Sequence, residues 1–227
     1  MATLGSRVSA FFDVDNTIWT EKSVISFYRY YLDCTTSDAA KQWELFTLEV
    51  GEKIAANTCR ADLNAWFYQT HFKGIDRALL SSLASEWFRA QQQKEGFWIH
   101  AVLDRLATHQ QQGHHIVLVS GSFWEVLEPL RAHVHATDIL CAPLIENDGR
   151  YTGQLYDTPM IGAGKAHAVV TYMKSRNIDP RLSYSYGDDT SDIPFLGCVG
   201  NPTLVVSRDQ QDMCRLADTL GYGKLTY

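Results

Sequence analysis

Apolar and polar positions along this chain follow two rhythms, one suited to short buried strands and one to amphipathic helices. Residues 8–12 form a short apolar run ending in Phe11 and Phe12, as a buried strand requires. From about residue 21 to residue 98 the spacing is helical. Residues 23–32 interleave Phe27, Tyr28, Tyr30 and Tyr31 with Val24, Ile25 and Leu32. Residues 38–56 carry Trp43, Phe46, Leu48, Val50 and Ile54 at mixed intervals of three and four. Residues 62–72 hold Leu63, Trp66 and Phe67, and residues 76–93 hold Leu79, Leu80, Leu83, Trp87 and Phe88. Several of these stretches begin near a Ser or Asp that could cap a helix, and the first proline of the chain is Pro129. The pattern predicts about four helices inserted directly after the first strand.

Beyond residue 98 the rhythm changes. Residues 99–112 read as a helix stopped by Gly113, residues 115–120 as a buried strand, and residues 121–131 as another helix. Residues 139–146 and 150–155 read as two arms of a hairpin around Asn147-Asp148-Gly149. A helix over 163–176, a strand over 182–186 running into Gly187 and Asp188, a strand at 204–206 and a helix over 209–220 complete the pattern. Alternating strands and helices predict an α/β fold with a three-layer α/β/α core, a mostly parallel, Rossmann-like sheet and a helical cap domain. Residues 1–18 and 99–227 would form the core and residues 19–98 the cap. Ligands of such sheets sit beyond the carboxyl ends of the strands. That would put Asp13, Asp15, Ser120 and Asp188 on one rim.

Composition narrows the function. The 227 residues are 45% hydrophobic, enough to bury a sizeable core. The formal net charge of −6 does not suit a nucleic-acid surface, which needs clustered basic residues. Cys34, Cys59, Cys141, Cys198 and Cys214 are scattered without a CxxC spacing, so reduced thiols in a cytoplasmic protein are expected. No signal-peptide pattern stands at the N-terminus, and no stretch approaches the roughly 20 apolar residues of a membrane span. The histidines show no metal-ligand spacing beyond one His-x-His, His133 and His135. Oligomeric state is left open.

Four polar clusters fall at strand or helix ends. The first is Asp13-Val14-Asp15-Asn16-Thr17, in which two carboxylates two residues apart need a cation or a proton to coexist. A turn with two solvated aspartates is the plainer alternative. The second is Ser120-Gly121-Ser122, where a hydroxyl and the N–H groups of Gly121 and Ser122 could cradle a phosphate oxygen, although serine here is commonly only a helix cap. The third is Gly162-Ala163-Gly164-Lys165, whose lysine in a helix's first turn makes sense opposite an anion. The fourth is Gly187-Asp188-Asp189-Thr190-Ser191-Asp192, an acidic loop whose oxygens suit Mg²⁺ together with those of the first cluster.

These four motifs, in this order over roughly residues 8–194, resemble those of the haloacid dehalogenase superfamily, and Gly187-Asp188-x-x-x-Asp192-Ile193-Pro194 resembles its phosphoserine phosphatase-like branch. The resemblance implies a Mg²⁺-dependent phosphatase acting on a small phosphorylated metabolite. Asp13 would be the nucleophile that takes up the phosphoryl group, and Asp15 the acid and base, its pKa raised by burial under the cap. Ser120, Gly121 and Lys165 would hold the phosphoryl oxygens. Asp13, the main-chain carbonyl of Asp15 and Asp188 would bind Mg²⁺; Asp192 would bind directly or support the ligands, and Thr17 would support them. Asp189 would be a surplus acid. Asn16 stands where the family more often has Gly or Ser, and tolerates unusual backbone angles. Lys22, beside Glu21, stands where phosphoserine phosphatases place a glutamate that receives an ammonium group, so phosphoserine is disfavoured as substrate. Trp19 and nearby aromatics (Phe27, Tyr28, Tyr31) are candidates to line the substrate pocket or to fill the core. A phosphomutase or phosphotransferase, or a catalytically silent binding module, are the competing functions.

Overall fold

The computed structural model describes residues 7–227; the first six residues of the expected core segment lie outside it. Strands β1 (Ser9–Asp13), β2 (His115–Val119), β3 (Asp138–Leu140), β6 (Tyr184–Gly187), β7 (Asn201–Val206) and β8 (Gly223–Thr226) form one parallel sheet in the order β3-β2-β1-β6-β7-β8. Strands β4 (Leu144–Asn147) and β5 (Arg150–Leu155) form a separate antiparallel hairpin.

Period-two alternation sorts the sheet's side chains to two faces. Phe12, Leu118 and Val205 point to one side, and Phe11, Val117, Leu204 and Val206 to the other. The second face is covered by α7 (Ala163–Arg176), α8 (Ile193–Leu196) and α9 (Gln211–Leu220). The first is covered by α5 (His100–Gln111) and α6 (Trp124–His133), and its core runs on without a break into α1 (Ser23–Thr35), α2 (Ala39–Ala55), α3 (Arg60–His71) and α4 (Arg77–Gln91). These four helices leave and rejoin the sheet layer at one place. There Thr20 N–H donates to Phe97 C=O at 2.9 Å and Ile99 N–H to Ile18 C=O at 3.0 Å, with Trp19 and Trp98 bridged between them.

Three differences from the sequence reading have local causes. The stretch 139–146 is not one hairpin arm: Ile139 and Leu140 belong to β3, and the hairpin begins only at Leu144. Pro143, which has no N–H to give a ladder, stands at the break. Strand β8 escapes the apolar pattern because it is a short edge strand, exposed at Gly223, Lys224 and Thr226. Helix α3 starts at Arg60, capped by the Cys59 sulfur accepting from Asp62 N–H, so Asp62 lies inside its first turn.

Candidate active site

Register brings the clusters together. Asp13 pairs with Val119, the residue before Ser120, and Phe12 pairs with Tyr186, two residues before Asp188. The first, second and fourth motifs therefore leave three adjacent strands at one level. Strand β1 does not continue to Asp15. It ends at Asp13, and the N–H groups of Thr17 and Ile18 turn back onto Val14 C=O. Asn16 sits in the left-handed region (φ 60°), a conformation that asparagine tolerates better than most residues.

Asp13 is almost fully buried, at 5% exposure. Lys165, the third residue of α7 and equally buried, donates to Asp13 Oδ1 at 2.5 Å and to Asp192 Oδ1 at 2.7 Å. Burial alone would lower the lysine's pKa; the two carboxylates outweigh it and hold the ammonium charged. Gly164 lets α7 start this close to the preceding loop, since a Cβ there would fall inside the Pro159 carbonyl. Gly187 does the same under β6, where a Cβ would collide with the Asp192 side chain.

Asp13, Asp188 and Asp192 each offer an oxygen, all within 4.8 Å of one another, the one such group of three potential metal ligands among the described residues. Burial, then the neighbouring carboxylates, push the Asp188 carboxyl well above the ordinary range. Asp192 is also raised, by burial and the Asp13 charge, with Lys165 opposing. Three carboxyl groups crowd one ammonium here, more acid than Lys165 can neutralise once all three ionise. That excess and the all-oxygen donor set fit a divalent cation such as Mg²⁺. The Thr17 hydroxyl stands 3.3 Å from both Asp13 Oδ2 and Asp188 Oδ1, and so ties two of the three together.

Asp15 faces a different environment. Burial raises its pKa, as the sequence reading anticipates, while the Trp19 indole N–H donates to its Oδ1 at 2.9 Å and partly opposes the shift. An indole can only donate, so Oδ1 is held as an acceptor, and hydrogen bonding from Ser23 also opposes the shift. Trp19 is therefore no pocket wall. It is fully buried, packed edge-on to Trp87 and against Phe97, and touches the site only through its N–H. Phe27 and Tyr28 are likewise core, and none of these aromatics lines the cavity.

Ser120 Oγ accepts from Ser122 N–H at 3.0 Å. The Ser122 N–H expected to meet a phosphate oxygen is thus engaged, and the Ser120 hydroxyl keeps its own hydrogen to donate. The Gly121 carbonyl accepts from Asn64 Nδ2 at 3.0 Å and from Tyr68 Oη at 2.9 Å, which ties α3 to this loop. Asp189 is not surplus. Its carboxylate caps the short turn Thr190–Asp192 and accepts from Arg60 Nη1, which also reaches Ser191 Oγ at 3.1 Å. Burial would raise Asp189, but hydrogen bonds from Ser191 and the Arg60 and Lys22 charges hold it below the usual range.

Above these residues lies a cavity of about 210 Å³. Its lining includes Asp13, Asp15, Ser120, Gly121, Lys165, Asp188 and Asp192, with Lys22 at its edge; Glu21 lies outside it. Missing from the sequence reading are Arg60, Leu63, Asn64 and Phe67, one face of α3, and Phe46 and Val50 of α2, which close the cavity from above. The 60/63/64/67 spacing marks a helix face, but only tertiary packing shows what that face covers.

Comparison with known proteins agrees with this geometry. The family model of the haloacid dehalogenase-like hydrolases matches residues 10–197. A probable phosphatase of Mycobacterium tuberculosis is 26% identical over 201 residues, 88% of this chain and 69% of that protein. A solved protein of unknown function from Bordetella pertussis superposes with a TM-score of 0.83 at 19% identity, over 97% of this chain and 98% of that one. A phosphoserine phosphatase solved as an analogue of its phospho-aspartyl intermediate shares the fold at a TM-score of 0.58 and 14% identity, over 88% and 87% of the two chains. The chain belongs to the haloacid dehalogenase-like hydrolase family and is a phosphatase, a hydrolase of phosphoric monoesters.

Proposed function

We propose that the chain hydrolyses a small phosphomonoester in two steps through a phosphoryl group carried on Asp13, with Mg²⁺ as cofactor. The observation that carries this reading is the state of Asp13: a buried carboxylate at a strand end, held by Lys165 at 2.5 Å and facing the cavity. In the first step an Asp13 oxygen bonds to phosphorus as the ester P–O bond breaks, and the Asp15 carboxyl gives its proton to the leaving oxygen. In the second, Asp15 takes a proton from a water that attacks phosphorus, and the Asp13–phosphorus bond breaks to release phosphate. Lys165 and the Ser120 hydroxyl hold phosphoryl oxygens throughout. The Asp13 and Asp188 carboxylates, with the Asp15 main-chain carbonyl, would hold Mg²⁺, and Asp192 and Thr17 would support them. That ion, when bound, offsets negative charge on the transferring phosphoryl group.

We further propose residues 1–18 and 99–227 as the catalytic core and residues 19–98 as a cap that shields the site from water. The paired chain crossings at Thr20–Phe97 and Ile18–Ile99 support that division. No helix among the described residues is long and apolar enough to cross a membrane, and the five cysteines are unpaired, which fits a cytoplasmic site of action. Asp13→Asn should abolish turnover of p-nitrophenyl phosphate, and so should chelation of divalent ions, with Mg²⁺ restoring it. Turnover retained by Asp13→Asn would remove Asp13 from the chemistry.

A further inference from the structure

The cavity has two unlike halves. Every carboxylate in its lining, namely Asp13, Asp15, Asp188, Asp189 and Asp192, belongs to the floor or the loop beside it. The roof, built from Ile25, Phe46, Val50, Leu63, Trp66 and Phe67, offers hydrocarbon. Its rings are braced from behind. Phe46 and Phe67 meet edge-on with centroids 5.8 Å apart. Tyr28 packs edge-on to both at 5.1 and 5.4 Å, and His71 packs edge-on to Phe46 at 5.2 Å and tilted against Phe67 at 5.5 Å. Tyr28 and His71 are hydrogen-bonded to each other at 2.9 Å, so the bracing pair is itself fixed. Such a roof loses little freedom when a ligand arrives.

The cations sharpen the picture. Lys165 is neutralised by Asp13 and Asp192, and Arg60 by Asp189. Lys22 has no carboxylate within ion-pair distance among the described residues. With the Asn16 amide oriented to satisfy both its ends, Lys22 Nζ donates to the neutral Asn16 oxygen at 2.9 Å. A substrate ammonium entering the roof would find a lysine at the edge, hydrocarbon above and no carboxylate to pair with. Taking a charge out of water without a partner is strongly unfavourable.

We propose that the alcohol released by this phosphatase is an apolar one, with an aromatic ring or branched hydrocarbon against Phe46, Trp66 and Phe67, and without an ammonium group. This rests on the phosphatase reading above and names its substrate class. The hydrocarbon leaves water for a preformed apolar surface, while the ester oxygen stays beside Asp15. Apolar contacts of this size discriminate by about 10- to 200-fold.

The test compares two primary alkyl phosphates, 2-phenylethyl phosphate and phosphoethanolamine, on the purified full chain with Mg²⁺, with p-nitrophenyl phosphate turnover reporting the phosphatase activity itself. The expected result is a kcat/KM for 2-phenylethyl phosphate about 100-fold above that for phosphoethanolamine. Trp66→Ala, at the less buried rim, should cut that ratio about tenfold, mainly through the KM for 2-phenylethyl phosphate. Phosphoethanolamine turned over as well as or better than 2-phenylethyl phosphate, with p-nitrophenyl phosphate hydrolysed, overturns the substrate class and leaves the phosphatase reading standing. No turnover of any of the three overturns both. A ratio unchanged in Trp66→Ala and in Phe67→Leu, which keeps the core filled, removes the aromatic roof as its source.

Discussion

Asp15 is gripped by a side chain that can donate and never accept. The Trp19 indole holds Asp15 Oδ1 as an acceptor and so orients the carboxyl that carries the proton. In the proposed mechanism that proton goes to the leaving oxygen, so its placement matters most when the leaving group is a poor one. Trp19→Phe keeps an aromatic ring in the core but removes the N–H and part of the buried volume. It is expected to lower kcat for alkyl phosphates by about 10- to 100-fold, within the range of general-acid contributions, while p-nitrophenyl phosphate, which needs little protonation, is nearly unaffected. Equal losses on both substrate types would assign Trp19 a packing role alone. At this scale much of the site was legible from sequence. Asp13, Asp15, Ser120 and Asp188 each follow an apolar run, where chain direction sends them to one rim, and Lys165 stands in a helix's first turn, where a cation makes sense opposite an anion. Trp19 was not, because the same letter serves as core filler and as hydrogen-bond donor, and only the fold shows that it is both.

At the scale of elements, α3 is the link between roof and floor. Asn64 and Tyr68 both donate to the Gly121 carbonyl beside Ser120, and Arg60 reaches Asp189 and Ser191 beside Asp188. Two motif loops are thus tied to one helix. Arg60 is half-exposed, so its ion pair should contribute under about 1 kcal/mol to stability. Arg60→Ala should accordingly leave the denaturation midpoint nearly unchanged while raising KM severalfold, read by denaturant melts and steady-state kinetics on the same preparation. Tyr68→Phe removes one of two donors to a partly buried carbonyl and should cost about 0.5–1.5 kcal/mol of stability. The helix itself was readable from Leu63, Trp66 and Phe67. Its start was not, because Cys59 is an unusual cap. Nor was its site-facing side, since Arg60 and Asn64 look like solvated polar positions until the loops they hold are in place. Strand β8 and the division of residues 139–146 were hidden for a related reason: each is a short piece whose partner, not its own pattern, makes it a strand.

The whole molecule places a buried cluster of acids between two halves joined by one continuous core. In the metal-free protein Asp188 and Asp192 have folded-state pKa values above their unfolded ones. Their contribution to stability is therefore present at acid pH, below the unfolded carboxyl value, and is lost as pH rises through the raised folded values. Three histidines act in the opposite sense: buried His109 and half-buried His71 and His114 are lowered by desolvation and favour the folded state as pH rises through the ordinary histidine range. Mg²⁺ separates the two effects, because it acts on the carboxylates only. The stabilisation it gives should grow with pH, reaching about 3 kcal/mol at a hundredfold excess over its dissociation constant, or roughly 6–12 °C for a chain of this size. Thermal melts with Mg²⁺ and with chelator across pH 5–8 check this, and a difference that shrinks with rising pH would contradict it. The parallel sheet and the helical insert were legible because strand and helix rhythms differ so plainly in this chain. The shared core was not, because it depends on which faces of α1–α4 meet α6 and the sheet.

Asp15→Asn provides the sharpest view of the chemistry. It should slow hydrolysis of the phosphoryl group on Asp13 more than its formation from p-nitrophenyl phosphate, whose leaving group needs no acid. Rapid mixing of this variant with p-nitrophenyl phosphate and Mg²⁺, followed by acid quench and peptide mass analysis, should show a burst approaching one nitrophenolate per chain and a phosphoryl group on the peptide that carries Asp13. Product release that is linear from the first turnover, with Asp13 unmodified while the unaltered protein is active, would contradict a phosphoryl group carried on Asp13.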